Sequence, residues 1–474
     1  MEEQRVMEVR GRWGVGPVQQ FWESLRPTQL LVASFILLIA FGTTGFLLLP
    51  GLYVGEELGF LDALFTATSA VCVTGLIVVD TATYFTTAGQ IWILLLIQLG
   101  GLGIITIASL VITGVSRRLP LRTHVLATGI EVLGDRITSR YLIRRVILFT
   151  FLIEGIGFLA LWLWWGLHEG FEQTFWSSLF HSISAFCNAG FSIWSDSLMS
   201  HAGEPVPLII IMALIILGGI GFIVFTDLRH AWKGRRSVTP YKLSLHTKLV
   251  LATSLLLTLV GWALFTLFEW NISFAGMGTF DRLVNGLFMS VTARTAGFNT
   301  VDYGAASDSS DFLTILLMAI GGSPGSTAGG LKTTTFALVG LIAWSRLRGR
   351  VHTSIWGRTI PEERMQGAIG LFALGFGVMT LGIFAYMLFG VDYQPHTTTG
   401  GIFLTQMFEA VSAFNTVGLS MGATLQMSTS GKIITIILMF IGRVGLLAFF
   451  ASFTVAARGP MSRLRYPKEE VMIG

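Results

Sequence analysis

The chain has 474 residues, 53% hydrophobic and 12% charged, with 36 Phe and 55 Gly. Soluble domains carry roughly 25% charged residues, so this balance excludes a soluble globular protein and marks an integral membrane protein with the lipid bilayer as a partner. The net charge of +4 makes no case for nucleic acid, because the basic residues sit in loops beside apolar spans. Two cysteines, Cys72 and Cys187, are too few for a disulfide framework or a thiolate metal site.

From Met1 to about Arg26 the chain mixes Glu and Arg with Gly and Pro. It has no apolar h-region, so it reads as a cytoplasmic arm rather than a signal peptide. A first span from about Thr28 to Leu49 is long enough to cross roughly 30 Å of hydrocarbon. Pro50 and Gly51 end it, an acidic loop with Glu56 and Glu57 follows, and a short apolar segment runs to Gly75. After Asp80 comes a second span, from about Thr87 to Val115.

That short segment occurs four times. Its skeleton is Phe, three residues, Ser or Thr, Ala, then an uncharged run ending in Gly. The copies begin at Phe65, Phe180, Phe288 and Phe408, contain Ser69, Ser184, Thr292 and Ser412, and end at Gly75, Gly190, Gly297 and Gly418. The third is one residue shorter and carries Arg294 in its run. The repeated phenylalanines are 115, 108 and 120 residues apart.

Each copy lies between two spans. The later pairs are expected near Leu142–Leu167 and Pro207–Asp227, Lys248–Trp270 and Phe312–Trp344, and Ala368–Gly390 and Lys432–Ala457. Two crossings per unit make the repeats parallel, which opposes the inverted symmetry of many carriers. The expected division is an arm at 1–27, repeats at 28–118, 119–236, 237–350 and 351–458, and a tail at 459–474.

Of 31 Lys and Arg, 26 fall in the arm, the inter-unit loops and the tail, whereas the opposite loops hold 14 of 27 acidic residues. The positive-inside rule then places both termini in the cytoplasm and opens the glycine strips outward, as in a multi-pass protein of the cell membrane.

About ten to thirteen helix-forming residues precede each glycine, enough to reach roughly halfway across a bilayer. The chain must then return without helix, which is tolerated only in a wet cavity or against protein. Four such helices aim their negative carbonyl ends at one point, where strip carbonyls can replace a cation's water shell. One break of this kind is an ordinary membrane-helix glycine; four at matched positions are a cation filter. The expected filter residues are Val73, Thr74 and Gly75; Asn188, Ala189 and Gly190; Thr295, Ala296 and Gly297; and Thr416, Val417 and Gly418. The fold class is therefore all-α and integral to the membrane, with four parallel repeats of span, pore helix, filter strip and span around a pseudo-fourfold pore.

The outgoing spans align too. Gly100-Gly101-Leu-Gly103 and Gly218-Gly219-Ile-Gly221 correspond to Gly442-Arg443-Val-Gly445, so Arg443 stands where the other units have glycine. A charge at that depth is a functional candidate, with an ion pair to Glu154 or Glu409 as the plainer reading. The third unit has Gly321-Gly-Ser-Pro-Gly-Ser-Thr-Ala-Gly-Gly330 instead. Leu331 separates Gly330 from Lys332, so this is no phosphate-binding P-loop. Five glycines and a proline in ten residues cannot stay helical. Gly322 and Arg443 each lie 25 residues beyond their filter glycine, hence at similar depth. The expected gate comprises Gly321, Gly322, Ser323, Gly325, Ser326, Thr327, Gly329, Gly330 and Arg443, with the loop hydroxyls bonded to the guanidinium. Glu154, Glu409 and His181 read as packing or hydrogen-bonding groups, and Arg294 as a brace for the shortened strip.

Across its whole length, through Ala70-Val-Cys-Val-Thr-Gly-Leu76, Ser184-Ala-Phe-Cys-Asn-Ala-Gly-Phe191, Thr292-Ala-Arg-Thr-Ala-Gly-Phe-Asn299 and Ser412-Ala-Phe-Asn-Thr-Val-Gly-Leu419, the chain resembles the Trk/Ktr/HKT superfamily of potassium transporters. No extra helix pair precedes the first unit, which is similar to the bacterial KtrB branch. The resemblance implies potassium as the transported ion, sodium as a second ion that is coupled or stimulatory, and no organic cofactor. It also implies a homodimer of pores, a mobile loop under the filter, and a cytoplasmic nucleotide-binding ring of the KtrA kind. The basic loops Arg229–Lys248 and Arg346–Arg364 are the expected docking surface. Each strip has a single glycine and the four differ, so weaker discrimination against sodium is expected. The alternative is a sodium- or proton-coupled carrier with alternating access. An enzyme is not expected: no His-Glu-x-x-His, Gly-x-Ser-x-Gly or paired intramembrane aspartates occur.

Overall fold

A computed structural model describes residues 27–118, 139–234, 241–389, 401–446 and 448–449, with the backbone alone for 27, 104–118 and 139–143. The expected terminal arm and tail, and parts of the basic loops after Arg118 and Gly234, lie outside the described residues.

Four long helices open the four units: α1 (Pro27–Leu48), α5 (Ser139–Glu169), α9 (Leu245–Glu269) and α13 (Glu362–Phe389). Among the described residues these four are long and apolar enough to cross a membrane unbroken. Their apolar side chains face outward: Leu148, Phe151, Leu152 and Ile156 of α5 are each more than half exposed. Such a surface calls for lipid or another protein against it.

Inside them lie four shorter helices, α2 (Phe60–Val71), α6 (Phe171–Cys187), α10 (Thr279–Thr292) and α14 (Ile402–Phe414). The repeated Phe65, Phe180, Phe288 and Phe408 are all 0% exposed, so the repeat is anchored by one aromatic ring per unit. Two further elements complete unit 1, the single turn α3 (Thr81–Tyr84) and the outgoing helix α4 (Thr87–Arg118).

The other outgoing segments are not continuous spans, which corrects the expectation for units 2 and 4. Unit 2 leaves by α7 (Pro205–Ile220) and α8 (Phe222–Gly234), which meet at 95°. Gly221, at φ 95°, makes the bend, and the freed Phe222 N–H donates to Gly325 O at 3.0 Å. Unit 3 leaves by α11 (Asp308–Met318) and α12 (Thr333–Leu347), with the glycine-rich segment between them non-helical, as expected. Unit 4 leaves by α15 (Thr429–Val444), which stops at Gly445, φ 89°. The chain is not wholly α: a hairpin of β1 (Ser354–Ile355) and β2 (Arg358–Thr359) sits in the basic loop between units 3 and 4. Trp356 and Gly357, at φ 50° and 74°, give the left-handed turn that two-residue hairpins favour.

The units meet in chain order and close on the first. Ser195 bonds Asp80 at 2.5 Å, Leu198 N–H bonds Asn299 O at 3.0 Å, and Tyr303 packs on Phe408 at 5.4 Å. Lys432 of α15 pairs with Asp62 of α2 at 2.5 Å. That pair is 19% and 31% exposed and contributes at most about 1 kcal/mol, so apolar packing carries the assembly.

Backbone proximity explains the aligned outgoing glycines. A Cβ on Gly100, Gly218 or Gly442 would overlap the carbonyl oxygen of Val71, Phe186 or Phe414, the same position in three short helices. Gly218→Val should therefore destabilise the protein by about 1–3 kcal/mol. Gly370→Val, with open space around its Cα, should melt like the parent. Thermal unfolding in detergent followed by size-exclusion fluorescence distinguishes the two.

Candidate functional site

Helices α2, α6 and α14 end in the same way. Val73, Asn188 and Thr416 adopt φ 55°, 59° and 51°, and their N–H groups reach back to Ala70, Ala185 and Ala413 at 3.1 Å. The next N–H groups, of Thr74, Ala189 and Val417, close six-residue loops onto Ser69, Ser184 and Ser412 at 2.8–2.9 Å. This is the Schellman termination, which usually takes glycine at its left-handed residue. The shortened third copy ends differently: Thr295 holds φ 74° and Ala296 N–H bonds Thr292 O at 3.0 Å, one residue nearer. That absorbs the missing residue.

Val73, Thr295 and Thr416 are β-branched, so a left-handed backbone strains each by about 1–3 kcal/mol. The left-handed residue stands two before the glycine in all four strips, and in three of them it carries this strain.

The strips then meet. A Cβ on Gly75 would overlap Ala189 O; on Gly190 it would crowd Ala296 O; on Gly297 it would overlap Val417 O; on Gly418 it would overlap Thr74 O. Each glycine thus faces the carbonyl that precedes the next, in unit order, and the cycle closes. Eight of the twelve residues singled out in the four strips, the glycines and the residues before them, meet in this cycle. Thr74, Thr295 and Thr416 carry hydroxyls that are buried without a hydrogen-bond partner. A buried hydroxyl left unpartnered is uncommon and calls for an explanation.

The repeated Ser or Thr fastens each strip. Ser69, Ser184 and Thr292 donate to the carbonyls of Leu76, Phe191 and Phe298, the residues after the glycines, at 2.6–2.8 Å. Ser412 accepts from Gly418 N–H at 3.1 Å. One residue after the repeated Phe, His181 and Glu409 hold Ser192 and Ser420, both two beyond the glycine, at 2.9 and 2.6 Å.

The glycine-rich segment packs against the helix ends. Ser323 N–H bonds Gly219 O at 3.0 Å, Thr327 N–H bonds Gly218 O at 3.3 Å, and Thr327 Oγ1 bonds Phe186 O at 3.2 Å. On its other side Gly330 N–H bonds Gly442 O at 3.2 Å and Leu331 N–H bonds Asn415 Oδ1 at 3.3 Å. Gly329 lies against Thr416 so closely that no Cβ would fit. Gly321 N–H bonds Leu331 O at 2.7 Å, Thr333 N–H bonds Gly322 O at 3.1 Å, and Ser326 Oγ bonds Ser323 O at 2.7 Å, so the segment is a folded loop. Gly325, at φ 74°, turns its carbonyl to Phe222.

Arg443 is 3% exposed. It donates to the Thr327 carbonyl and, at 3.3 Å, to Gly100 O. The expected bond from the loop hydroxyls is replaced by one from the loop backbone. The ion pair weighed for Arg443 is also replaced: Glu154 bonds Gln98 at 3.1 Å, and Glu409 bonds Ser420, Met421 N–H and Thr424. Arg294 bonds Ser254 at 3.2 Å and Thr333 at 3.3 Å, tying the shortened strip to α9 and α12.

Lys332 had no assigned role, yet its Nζ donates to Ala328 O at 2.7 Å and Gly329 O at 3.4 Å. Two cations therefore hold three successive carbonyls of the loop. The sequence signal was present, since a lysine ending a glycine-rich break in an apolar span needs acceptors.

Four lipid-facing helices, four buried short helices and strips converging on one point define a helical membrane transporter. The TrkH family model, described as a cation transport protein, matches residues 19–462. The chain is 40% identical over 460 residues to Ktr system potassium uptake protein B of Bacillus subtilis, covering 96% of this chain and 98% of that one. It is 38% identical over 452 residues to potassium/sodium uptake protein NtpJ of Enterococcus hirae, covering 95% and 98%. The potassium transporter TrkH of Vibrio parahaemolyticus has the same fold, with TM-score 0.71 at 19% identity over 91% of this chain and 86% of that one. The chain belongs to the TrkH family of cation transport proteins, and is no enzyme.

Removing a strip fastener while keeping its shape should be costly. Thr292→Val leaves the Phe298 carbonyl buried and unpaired, a loss of about 1–3 kcal/mol, whereas Thr292→Ser should stay near the parent. Thermal midpoints of the two purified variants test this.

Proposed function

We propose that the chain takes up potassium by channel-like conduction through the ring where the four strips meet, with the pore axis running through their pseudo-fourfold centre. The closed cycle of glycines against neighbouring carbonyls carries this reading. Carbonyl oxygens supplied by four walls can stand in for a cation's hydration shell. The unpartnered hydroxyls of Thr74, Thr295 and Thr416 add oxygen ligands of the same hard kind. The names of the relatives, potassium uptake in one and potassium/sodium uptake in another, support potassium as substrate and sodium as a second ion. On this reading the protein lies in the cell membrane with both termini cytoplasmic, as the basic inner loops favour. A homodimer and a cytoplasmic nucleotide-binding partner of the KtrA kind complete it, docking on the basic loops.

The loop 321–330, Arg443 and Lys332 form the gate. Fixed positive charge beside a low-dielectric path raises the barrier to a cation. A loop pinned to unit 2 on one side and unit 4 on the other obstructs the path until one side lets go.

Two flux experiments in proteoliposomes test the filter and the gate separately. Gly297→Ser puts a side chain against the Val417 carbonyl and should weaken apparent potassium affinity or its preference over sodium by about tenfold or more. Unchanged uptake kinetics in Gly→Ser variants at all four positions would remove the filter assignment. Arg443→Ala should raise potassium flux and reduce its dependence on the nucleotide-binding partner, as should deletion of Ser323–Ala328. Variants that fold, insert and conduct like the parent would place the gate elsewhere.

A further inference from the structure

On the side proposed to face outward, the chain carries a group of side chains that conduction does not use. Glu169 is the last residue of α5, Glu204 immediately precedes α7, and His201 lies in the turn leading to it. One ligand atom from each lies within 4.8 Å of the others. His201 Nδ1 and Glu204 Oε1 are already 3.0 Å apart.

We propose that Glu169, His201 and Glu204 form a binding site for a divalent cation of the zinc class. One imidazole and two carboxylates suit zinc and its neighbours; calcium and magnesium prefer oxygen alone, and copper(I) prefers sulfur. Bonds of about 2.0–2.2 Å in a tetrahedral site set ligand atoms about 3.4 Å apart. The His201–Glu204 pair is near that spacing. Glu169 is exposed and has the freedom to swing in, and water takes the fourth position.

Two features outside the trio prepare it. Trp165 Nε1 donates to Glu204 Oε2 at 3.2 Å, orienting the carboxylate from behind as outer-shell donors do. The His201 ring packs on Trp194 at 4.3 Å and Trp165 at 5.6 Å, so the imidazole is held before any ion arrives. The carbonyl end of the 31-residue α5 adds negative potential beside Glu169.

The ion would tie the end of α5 to the start of α7, on either side of α6. Trp194 continues inward by stacking on His181 at 4.0 Å, and His181 holds Ser192 just beyond Gly190. Binding itself does not rest on the transport reading.

Full-length protein without a histidine tag, titrated with zinc chloride by calorimetry in detergent, tests the site. The expected result is one zinc per chain at micromolar affinity. Glu169→Gln, at an exposed position, should weaken binding about tenfold and His201→Gln should abolish the event. His168→Gln, outside the trio, should leave it unchanged. No binding by the parent, equal loss in His168→Gln and Glu169→Gln, or retained affinity in His201→Gln would overturn the site. Displacement of zinc by equimolar calcium would overturn the assigned metal class.

Discussion

At the centre of the molecule there is no room for a side chain. Each of four glycines faces the carbonyl oxygen that precedes the next one, and an added Cβ would meet that oxygen. Four strips from four distant parts of the chain must therefore arrive within a few tenths of an ångström of their places. The buried Phe of each short helix, the Ser or Thr fastener and the left-handed turn all serve that placement. The same constraint recurs one layer out, where Gly100, Gly218 and Gly442 let outgoing helices touch the last carbonyls of the short helices. Glycine is thus used for proximity more than for flexibility, and the lipid-facing helices have only to be apolar.

Against that common frame the units diverge where chemistry is wanted. Unit 1 keeps a continuous outgoing helix, and unit 2 bends its own by 95° at Gly221. Unit 3 replaces a helical stretch with the folded loop, and unit 4 replaces a glycine with Arg443. These departures are coupled. The Phe222 N–H freed by the bend is satisfied by Gly325 O of the loop, and the charge of unit 4 is satisfied by the Thr327 carbonyl. A buried guanidinium without a carboxylate is tolerable only because backbone carbonyls already converge there.

Much of the frame is legible in the sequence. Four copies of one skeleton at near-equal intervals imply four equivalent walls, and the glycine in each marks where backbone comes close. Arg443 stood out because the alignment of outgoing spans put a charge in a glycine's place. The bend at Gly221 was not legible: glycines at 218, 219 and 221 look alike in sequence, and only the neighbouring loop, 100 residues later, decides which takes φ 95°. The partners of Arg443 are hidden from the sequence for a related reason. Side-chain chemistry suggests carboxylates and hydroxyls, whereas the acceptors were backbone carbonyls that every residue carries. The hairpin at 354–359 was hidden inside a charged loop whose composition speaks of solvent, although Trp356-Gly357 is the kind of pair a tight turn accepts.

The loop's attachments bear on how the proposed gate would open. Toward unit 2 it is held through Ser323 N–H, the N–H and hydroxyl of Thr327, and the Gly325 carbonyl that accepts from Phe222. Toward unit 4 it is held through Gly330, Leu331 and the guanidinium of Arg443. Each such bond contributes about 0.5–1.5 kcal/mol net, and those to charged groups about 1.5–3. Freeing the loop from both walls at once would then require several times the roughly 1–3 kcal/mol that coupling between distant sites usually provides. One wall must act as the hinge. Unit 2 holds the loop by four neutral bonds and unit 4 by three, one of them to a charge, and Gly445 breaks α15 with nearly the same backbone angles as the bend at Gly221. On the proposed gate, a shift of α15 about Gly445 that draws Arg443 away from Thr327 is one such opening. It removes the positive charge and the loop's second anchor in one step.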